Sequence, residues 1–411
     1  MKPKQSIESI FNQDNEGMTN PFIVQSLTVL GRTVGRYRPR VFGIHQNDRL
    51  FHTYIVGQTG TGKSNLLLNM LRQDIEHGRG FCLLDPHGDL AKEAAKLLGD
   101  RGIYWEPSDP DCNYGYNPLT YVAARYRPLV ASSIIDTLKQ QWSDAWGVRM
   151  EHLLRFTLLA LLERPSSTIS DIVPMFTTKS FRAQVLSHVT DTEVLKFWKD
   201  EFPNMNYKNA FDGVAPIANK LGAFLSHHHV RKALTDPVRP IRFRTVLDNG
   251  TPMIVNLSKG SLGNDISNVL GGLIVSMLTS AAFTRAEIDE EDRRPFFLYA
   301  DEFHSFTTHA FAGMLSQLRK YSLGLVLAHQ FTTQLEPQIF ESILGNVGTL
   351  IVFRVGAKDA PILSKQLGQP SSRPAHINAA HLAELPNYRC FMKLMIKGAQ
   401  SGVFSATTFK L

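Results

Sequence analysis

The chain has 411 residues, 43% hydrophobic and 20% charged, a globular composition that excludes a wholly disordered chain, a collagen-like repeat and a small disulfide-stapled module. Its formal charge of +7 suits a polyanionic partner without demanding one. The three cysteines, Cys82, Cys112 and Cys390, form no CxxC pair, which predicts free thiols in a reducing compartment rather than a zinc ribbon.

Residues 1–41 read as a polar leader or arm. Met1 to Gln13 lacks the apolar core of a signal peptide. Arg32, Arg36, Arg38 and Arg40 form a basic cluster that fits a solvated arm at least as well as a nucleic-acid contact. From His52 the pattern changes. Tyr54-Ile55-Val56 predicts a short buried strand, followed by a glycine-rich turn and a helix striped by Leu67, Leu68, Leu71 and Ile75. Gly78 and Gly80 close that helix. Phe81 to Leu84 predicts a second strand, running into Asp85-Pro86-His87-Gly88-Asp89-Leu90, and Ile103-Tyr104-Trp105 a third. A strand–helix–strand rhythm of this kind predicts an α/β fold with a mostly parallel sheet.

Between residues 127 and 238 the rhythm stops. Leu154, Leu158, Leu161 and Leu162 share one helical face, and an inserted all-α subdomain is expected there. Strands resume at Pro252 to Leu257, Phe296 to Ala300, Leu323 to Ala328 and Thr349 to Val355. The expected layout is therefore an α/β domain over 42–126 and 239–411, split by the helical insertion. The longest apolar stretch, Val269 to Phe283, is too short to span a bilayer comfortably and carries Ser276, Thr279 and Ser280. It predicts a buried core helix, no membrane segment and a cytoplasmic protein.

Gly57-Gln58-Thr59-Gly60-Thr61-Gly62-Lys63-Ser64 matches the phosphate-binding pattern GxxxxGK[ST], with a strand before it and a helix after. Glycines let backbone N–H groups turn inward around phosphate oxygens, and the helix start aims its positive end at the same charge. Lys63 can reach the β- and γ-phosphates, and Ser64 can ligate Mg²⁺. Phe296 to Ala300 delivers Asp301 and Glu302 at the end of a strand. Asp301 is the expected second metal ligand and Glu302 the group that activates water. Gln330, directly after another strand, is placed to sense the γ-phosphate or position water. Asp85 is expected behind the metal or as an organiser of the loop. Arg319 and Arg354 are candidates for an arginine acting across subunits, against the alternative of ordinary surface salt bridges. His227-His228-His229 receives no role.

These motifs occur together in one order. Gly57–Ser64 is followed by Leu84-Asp85-Pro86-His87-Gly88-Asp89-Leu90, then by Ala300-Asp301-Glu302-Phe303, Leu318-Arg319-Lys320-Tyr321 and Ala328-His329-Gln330. Asn256-Leu257-Ser258-Lys259-Gly260 and Asn346-Val347-Gly348-Thr349 belong to the same pattern. The combination resembles the FtsK/HerA superfamily, particularly the TraG-like coupling ATPases of conjugation and their HerA-like relatives, over residues 42 to about 370. The resemblance implies a RecA-like ATPase core with an all-α domain, assembled as a ring, commonly a hexamer, that pumps DNA at the expense of ATP and Mg²⁺. It implies phosphate and metal roles for Lys63, Ser64, Asp301 and Glu302, a sensor role for Gln330 and a trans-acting role for Arg319. Membrane-bound coupling proteins carry N-terminal transmembrane helices that are not seen here. Loops Lys259 to Asp265 and His304 to His309 are the expected DNA-facing segments. The competing expectation is an ATP-gated assembly protein that recruits an effector, such as a nuclease in an anti-phage or mobile-element complex, without moving DNA. Stimulation of ATP hydrolysis by DNA separates the two.

Overall fold

The computed structural model describes residues 26–35, 38–120, 122–205, 207–368 and 377–410. Arg36 of the basic cluster and Met1 to Gln13 lie outside the described residues. Two compact units emerge. One takes Met1–Tyr104, Thr245–Asn256 and Arg285–Leu411, the other Trp105–Arg244 and Leu257–Thr284.

The strands, in chain order, begin with β1 (Leu27–Thr33), β2 (Val41–His45), β3 (Thr53–Val56), β4 (Gly80–Asp85) and β5 (Ile103–Trp105). The short β6 (Tyr114–Gly115) and β7 (Arg239–Pro240) pair with each other. Then come β8 (Met253–Asn256), β9 (Phe296–Ala300), β10 (Leu323–His329), β11 (Thr349–Val352) and β12 (Arg389–Lys393). A tight ladder, β13 (Met395–Ile396) with β14 (Ala399–Gln400), precedes β15 (Phe404–Thr408). Eleven strands form one sheet in the order β2-β1-β15-β12-β11-β3-β10-β9-β4-β8-β5. From β11 through β3, β10, β9 and β4 to β8 the pairing is parallel. From β11 outward through β12, β15, β1 and β2 it is antiparallel.

The parallel half explains the apolar runs in the sequence. Every residue of β3, β4, β9, β10 and β11 is buried, as expected of strands covered on both faces. The helix Lys63–Glu76 lays Leu66, Leu67, Met70, Leu71 and Ile75 into this core. It ends at His77, and Gly78 follows in the left-handed region at φ 62°, the usual way to stop a helix with a glycine.

A buried polar clamp fixes that helix to the sheet. The Arg49 guanidinium donates to both carboxylate oxygens of Asp74, at 2.7 and 2.9 Å, and to the Tyr299 hydroxyl at 2.5 Å. Tyr299 donates in turn to Asp74, and Arg49 stacks 3.7 Å over the ring of Phe297. Arg49 and Asp74 are fully buried, so each neutralises a charge that the interior would otherwise reject.

The expected leader is corrected in part. Residues 27–33 are a strand of the sheet, held between β2 and β15 with Leu27, Val29 and Leu30 buried and Arg32 exposed. β2 follows directly in the chain, but the other neighbour, β15, lies at its far end, and local pattern gives no hint of that pairing. Gly31 is required by it: a Cβ there would stand 2.3 Å from the Thr407 carbonyl oxygen.

The second unit is mostly helical, with Arg127–Gln141, Val148–Glu163, Tyr207–Ser226 and Asn264–Thr284 as its long members. Its bounds differ from the expected 127–238. It begins at Trp105, whose ring meets Tyr116 edge-on at 5.7 Å, and Tyr116 meets Phe243. It also takes Leu257–Thr284, because the helix Asn264–Thr284 packs on Arg127–Gln141. The Thr137 and Ser276 hydroxyls bond at 2.9 Å, and bare Gly272 lies against Thr137. Among the described residues Asn264–Glu287 is the one segment long and apolar enough to cross a membrane. Here 67% of its most apolar window is buried inside the fold.

Candidate functional site

Four neighbouring parallel strands, β3, β10, β9 and β4, end on the same side of the sheet. They carry the 57–64 loop, Gln330, Asp301-Glu302 and Asp85 respectively. The carboxyl ends of parallel strands are where α/β folds bind ligands.

The loop is built by its own backbone. Gly57 N–H donates to the His329 carbonyl at 3.3 Å and Gln58 N–H to the Arg354 carbonyl at 2.8 Å. The fully buried Thr61 donates its hydroxyl to the Gln58 carbonyl at 2.7 Å. A Cβ on Gly57 would lie 2.6 Å from Phe353, and Gly60 and Gly62 take φ of 76° and 120°. Gly62 caps the helix Lys63–Glu76 without a side-chain bond, which leaves the first helical N–H groups for an anion. Lys63 is buried and donates to the carbonyls of Gly57 and Gln58 at 2.5 and 3.2 Å. Burial holds its pKa below the usual lysine value, while Asp301 and Glu302 pull it back up. Ser64, exposed in the first turn of the helix, opens onto the same cavity as Thr59, Gly60, Gly62 and Lys63. Gly57, Gln58 and Thr61 shape the loop from behind and do not line that cavity.

Opposite stands a carboxylate group of three. Asp301 is buried, and its pKa is pushed up to about 7 by that burial, then by Asp85 and Glu302. A buried carboxyl crowded by like charges is the environment a divalent cation relieves. No group of three or more His, Cys, Asp or Glu among the described residues is arranged to hold a metal alone. Mg²⁺ needs only one or two protein oxygens, together with phosphate and water. Ser64 and Asp301 are the residues that would hold it. Asp85 is organised differently. One of its oxygens accepts from His87 N–H at 2.9 Å and the other from Ala91 N–H at 2.8 Å, so it fixes the turn leading into Asp89–Leu98 and acts on the site through its charge.

Glu302 and Gln330 are joined. The Gln330 amide donates to Glu302 Oε1 at 2.7 Å, and Thr59 donates to Gln330 Oε1 at 2.9 Å. A relay thus runs from the phosphate loop through the glutamine to the water-activating candidate. Gln334 accepts from the Gln330 and Phe331 N–H groups at 3.3 and 3.0 Å and fixes the turn that carries the amide. His304 Nδ1 lies 3.4 Å from Glu302 Oε2. Glu302 itself sits in the left-handed region at φ 46°, a conformation costly for a glutamate and characteristic of functional positions.

The structure does not bring the two arginines into this site. Arg319 is exposed in the turn before β10, at the other end of that strand from Gln330, and stacks 3.5 Å over Phe51. Arg354 lends its carbonyl to the loop, but its guanidinium donates to the Leu385 carbonyl at 3.1 Å. The two expected DNA-facing segments fall in different units, Lys259 to Asp265 in the helical one and His304 to His309 in the sheet unit. Sequence reasoning missed Tyr388, which lines the cavity and donates its N–H to the Thr61 carbonyl at 2.7 Å. It stands beside β12 with no surrounding motif, and only the sheet order brings it to the loop.

Comparison with curated proteins gives no match. Among solved structures, the bacterial conjugative coupling protein TrwBdeltaN70, in an unbound monoclinic form, is similar at 20% identity with a TM-score of 0.65. The match covers 90% of this chain and 86% of that one. The plasmid coupling protein TrwB in complex with ADP and Mg²⁺ is similar at 19% identity and 0.67, covering 90% and 88%. VirB4 of Thermoanaerobacter pseudethanolicus is similar at 13% identity and 0.59, covering 94% and 97%. These likenesses show a shared RecA-like P-loop fold. The family model described as the type IV secretion-system coupling protein DNA-binding domain matches residues 41–381, and the chain belongs to that family.

Proposed function

We propose that the protein is an Mg²⁺-dependent ATPase that works as an oligomer, most simply a hexameric ring, to move DNA through its centre. The observation that carries the ATPase reading is the relay Thr59–Gln330–Glu302 in a cavity that Lys63 and Asp301 also line. A pure nucleotide-binding module has no need of a buried glutamate positioned by an amide that also touches the phosphate loop.

The loop N–H groups and Lys63 bind the phosphate chain and orient the terminal phosphoryl group. Magnesium, when bound, offsets phosphate charge. Ser64 and Asp301 fix its place. Glu302, held by Gln330, orients the attacking water and takes its proton. Loss of the γ-phosphate changes what Thr59 and Gln330 face, so the turn 330–334 reports the nucleotide state. Arg319, presented by a neighbouring subunit, supplies positive charge to the transition state, with Arg354 as the second candidate. The DNA reading is supported by the family and by the chain's net charge of +7.

Steady-state ATP hydrolysis with and without single- and double-stranded DNA tests this. The expected result is stimulation by DNA that weakens steeply with salt and disappears in Lys63→Ala. Hydrolysis indifferent to DNA at low salt would overturn the motor reading in favour of an ATPase that gates an effector protein.

A further inference from the structure

The cavity over the loop, about 760 Å³, reaches to both sides of β3 in the sheet order. On the side of β10, β9 and β4 stand Gln330, Glu302 and Asp301. On the side of β11 and β12 the wall is Tyr388, with Asn65 and Leu68 of the following helix nearby. The chemistry of phosphate transfer uses nothing on this second side.

Tyr388 is nevertheless held with care. Its N–H donates to Thr61 and its carbonyl accepts from Thr408 N–H at 2.9 Å. It adopts φ 66°, a backbone that glycine takes freely and tyrosine does not. The ring lies close enough that a Cβ on Gly62 would stand 3.0 Å from its Cδ1. The chain beyond β15 is tied to the same place. The Phe409 carbonyl accepts from the side-chain amides of Asn65 and, at 2.9 Å, Asn69. This sets the Lys410 ammonium 5.6 Å from the centre of the Tyr388 ring, within reach of a cation–π contact.

We propose that Tyr388 is the platform on which the nucleobase of the bound nucleotide stacks, with Lys410 bracing the ring. This rests on the nucleotide reading of the Gly57–Ser64 loop and adds where the base goes. Stacking uses the π-face rather than the hydrogen-bonding edge, so the platform distinguishes a nucleotide from a bare phosphate chain and accepts either purine.

Binding of ADP and of inorganic pyrophosphate, each with Mg²⁺, is measured by calorimetry on the full chain and its variants. Tyr388→Ala should weaken ADP about tenfold and leave pyrophosphate unchanged, while Tyr388→Phe keeps both. Tyr388→Gly, which accepts the left-handed backbone without strain, should repeat the selective loss and so removes misfolding as a cause. Unchanged ADP affinity in Tyr388→Ala, with binding abolished in Lys63→Ala, overturns the platform and leaves the nucleotide site standing. Equal losses for both ligands would assign Tyr388 to the shape of the loop, against the proposal. ADP binding untouched by Lys63→Ala overturns both readings.

Discussion

Glu302 combines three properties that rarely meet in one side chain: it is buried, it accepts from the Gln330 amide, and its backbone is left-handed. Glu302→Gln should bind ATP as the parent does and lose turnover by about 100-fold or more, read as single-turnover hydrolysis beside nucleotide affinity; a matching loss of affinity would assign Glu302 to binding. Asp301 carries a pH signature. Its carboxyl moves from an ordinary 3.8 to about 7 in the fold. A pKa raised by folding means that the protonated form is the one the fold favours, so its stabilising contribution is complete below 3.8 and is lost as pH rises through about 7. Without nucleotide and Mg²⁺, Asp301→Asn should therefore melt above the parent at pH 8, with the gap closing towards pH 5. A gap constant across that range would contradict the assignment. These residues were legible in the sequence because each sits in or beside a short motif on a strand end. Tyr388 was not legible, since its role depends on β12 lying two strands from β3.

At the level of elements, the helix after the phosphate loop owes its position to the Arg49–Asp74–Tyr299 clamp as much as to its leucines. Arg49→Ala leaves Asp74 buried with the Tyr299 hydroxyl and the more peripheral Arg79, 3.2 Å away, as its remaining partners, and should cost about 3–5 kcal/mol, read as a lowered urea midpoint. Arg49→Ala with Asp74→Leu should recover part of that loss. The parallel strands could be read from composition, because strands covered on both faces must be apolar throughout. β1 could not be placed in the sheet from pattern alone, since one of its two neighbours, β15, lies almost the whole chain away. The start of the helical unit was misplaced for a related reason. Trp105, Tyr116 and Phe243 make one ring cluster from three separated stretches, and no local periodicity marks such a cluster.

On the scale of the whole molecule, the separation of Arg319 from its own chain's nucleotide site makes a statement about assembly. If a neighbour supplies it, Arg319→Ala subunits mixed with Glu302→Gln subunits should regain hydrolysis, because an intact Glu302 then meets an intact Arg319 across a contact; no recovery in co-assembled mixtures would return Arg319 to a surface role. The sheet also carries a consequence for how the protein is made. β15 is inserted between β1 and β12, so β1 leaves the ribosome early and waits for a neighbour translated near the end. Until then β1 and β12 expose unpaired edges, a state prone to mispairing. The turn at Tyr388, braced through Thr408, closes only with that last strand. A nascent chain should therefore present its phosphate loop long before it can grip a whole nucleotide, and a chain cut short before Phe404 should be a substrate for chaperones rather than a slow enzyme.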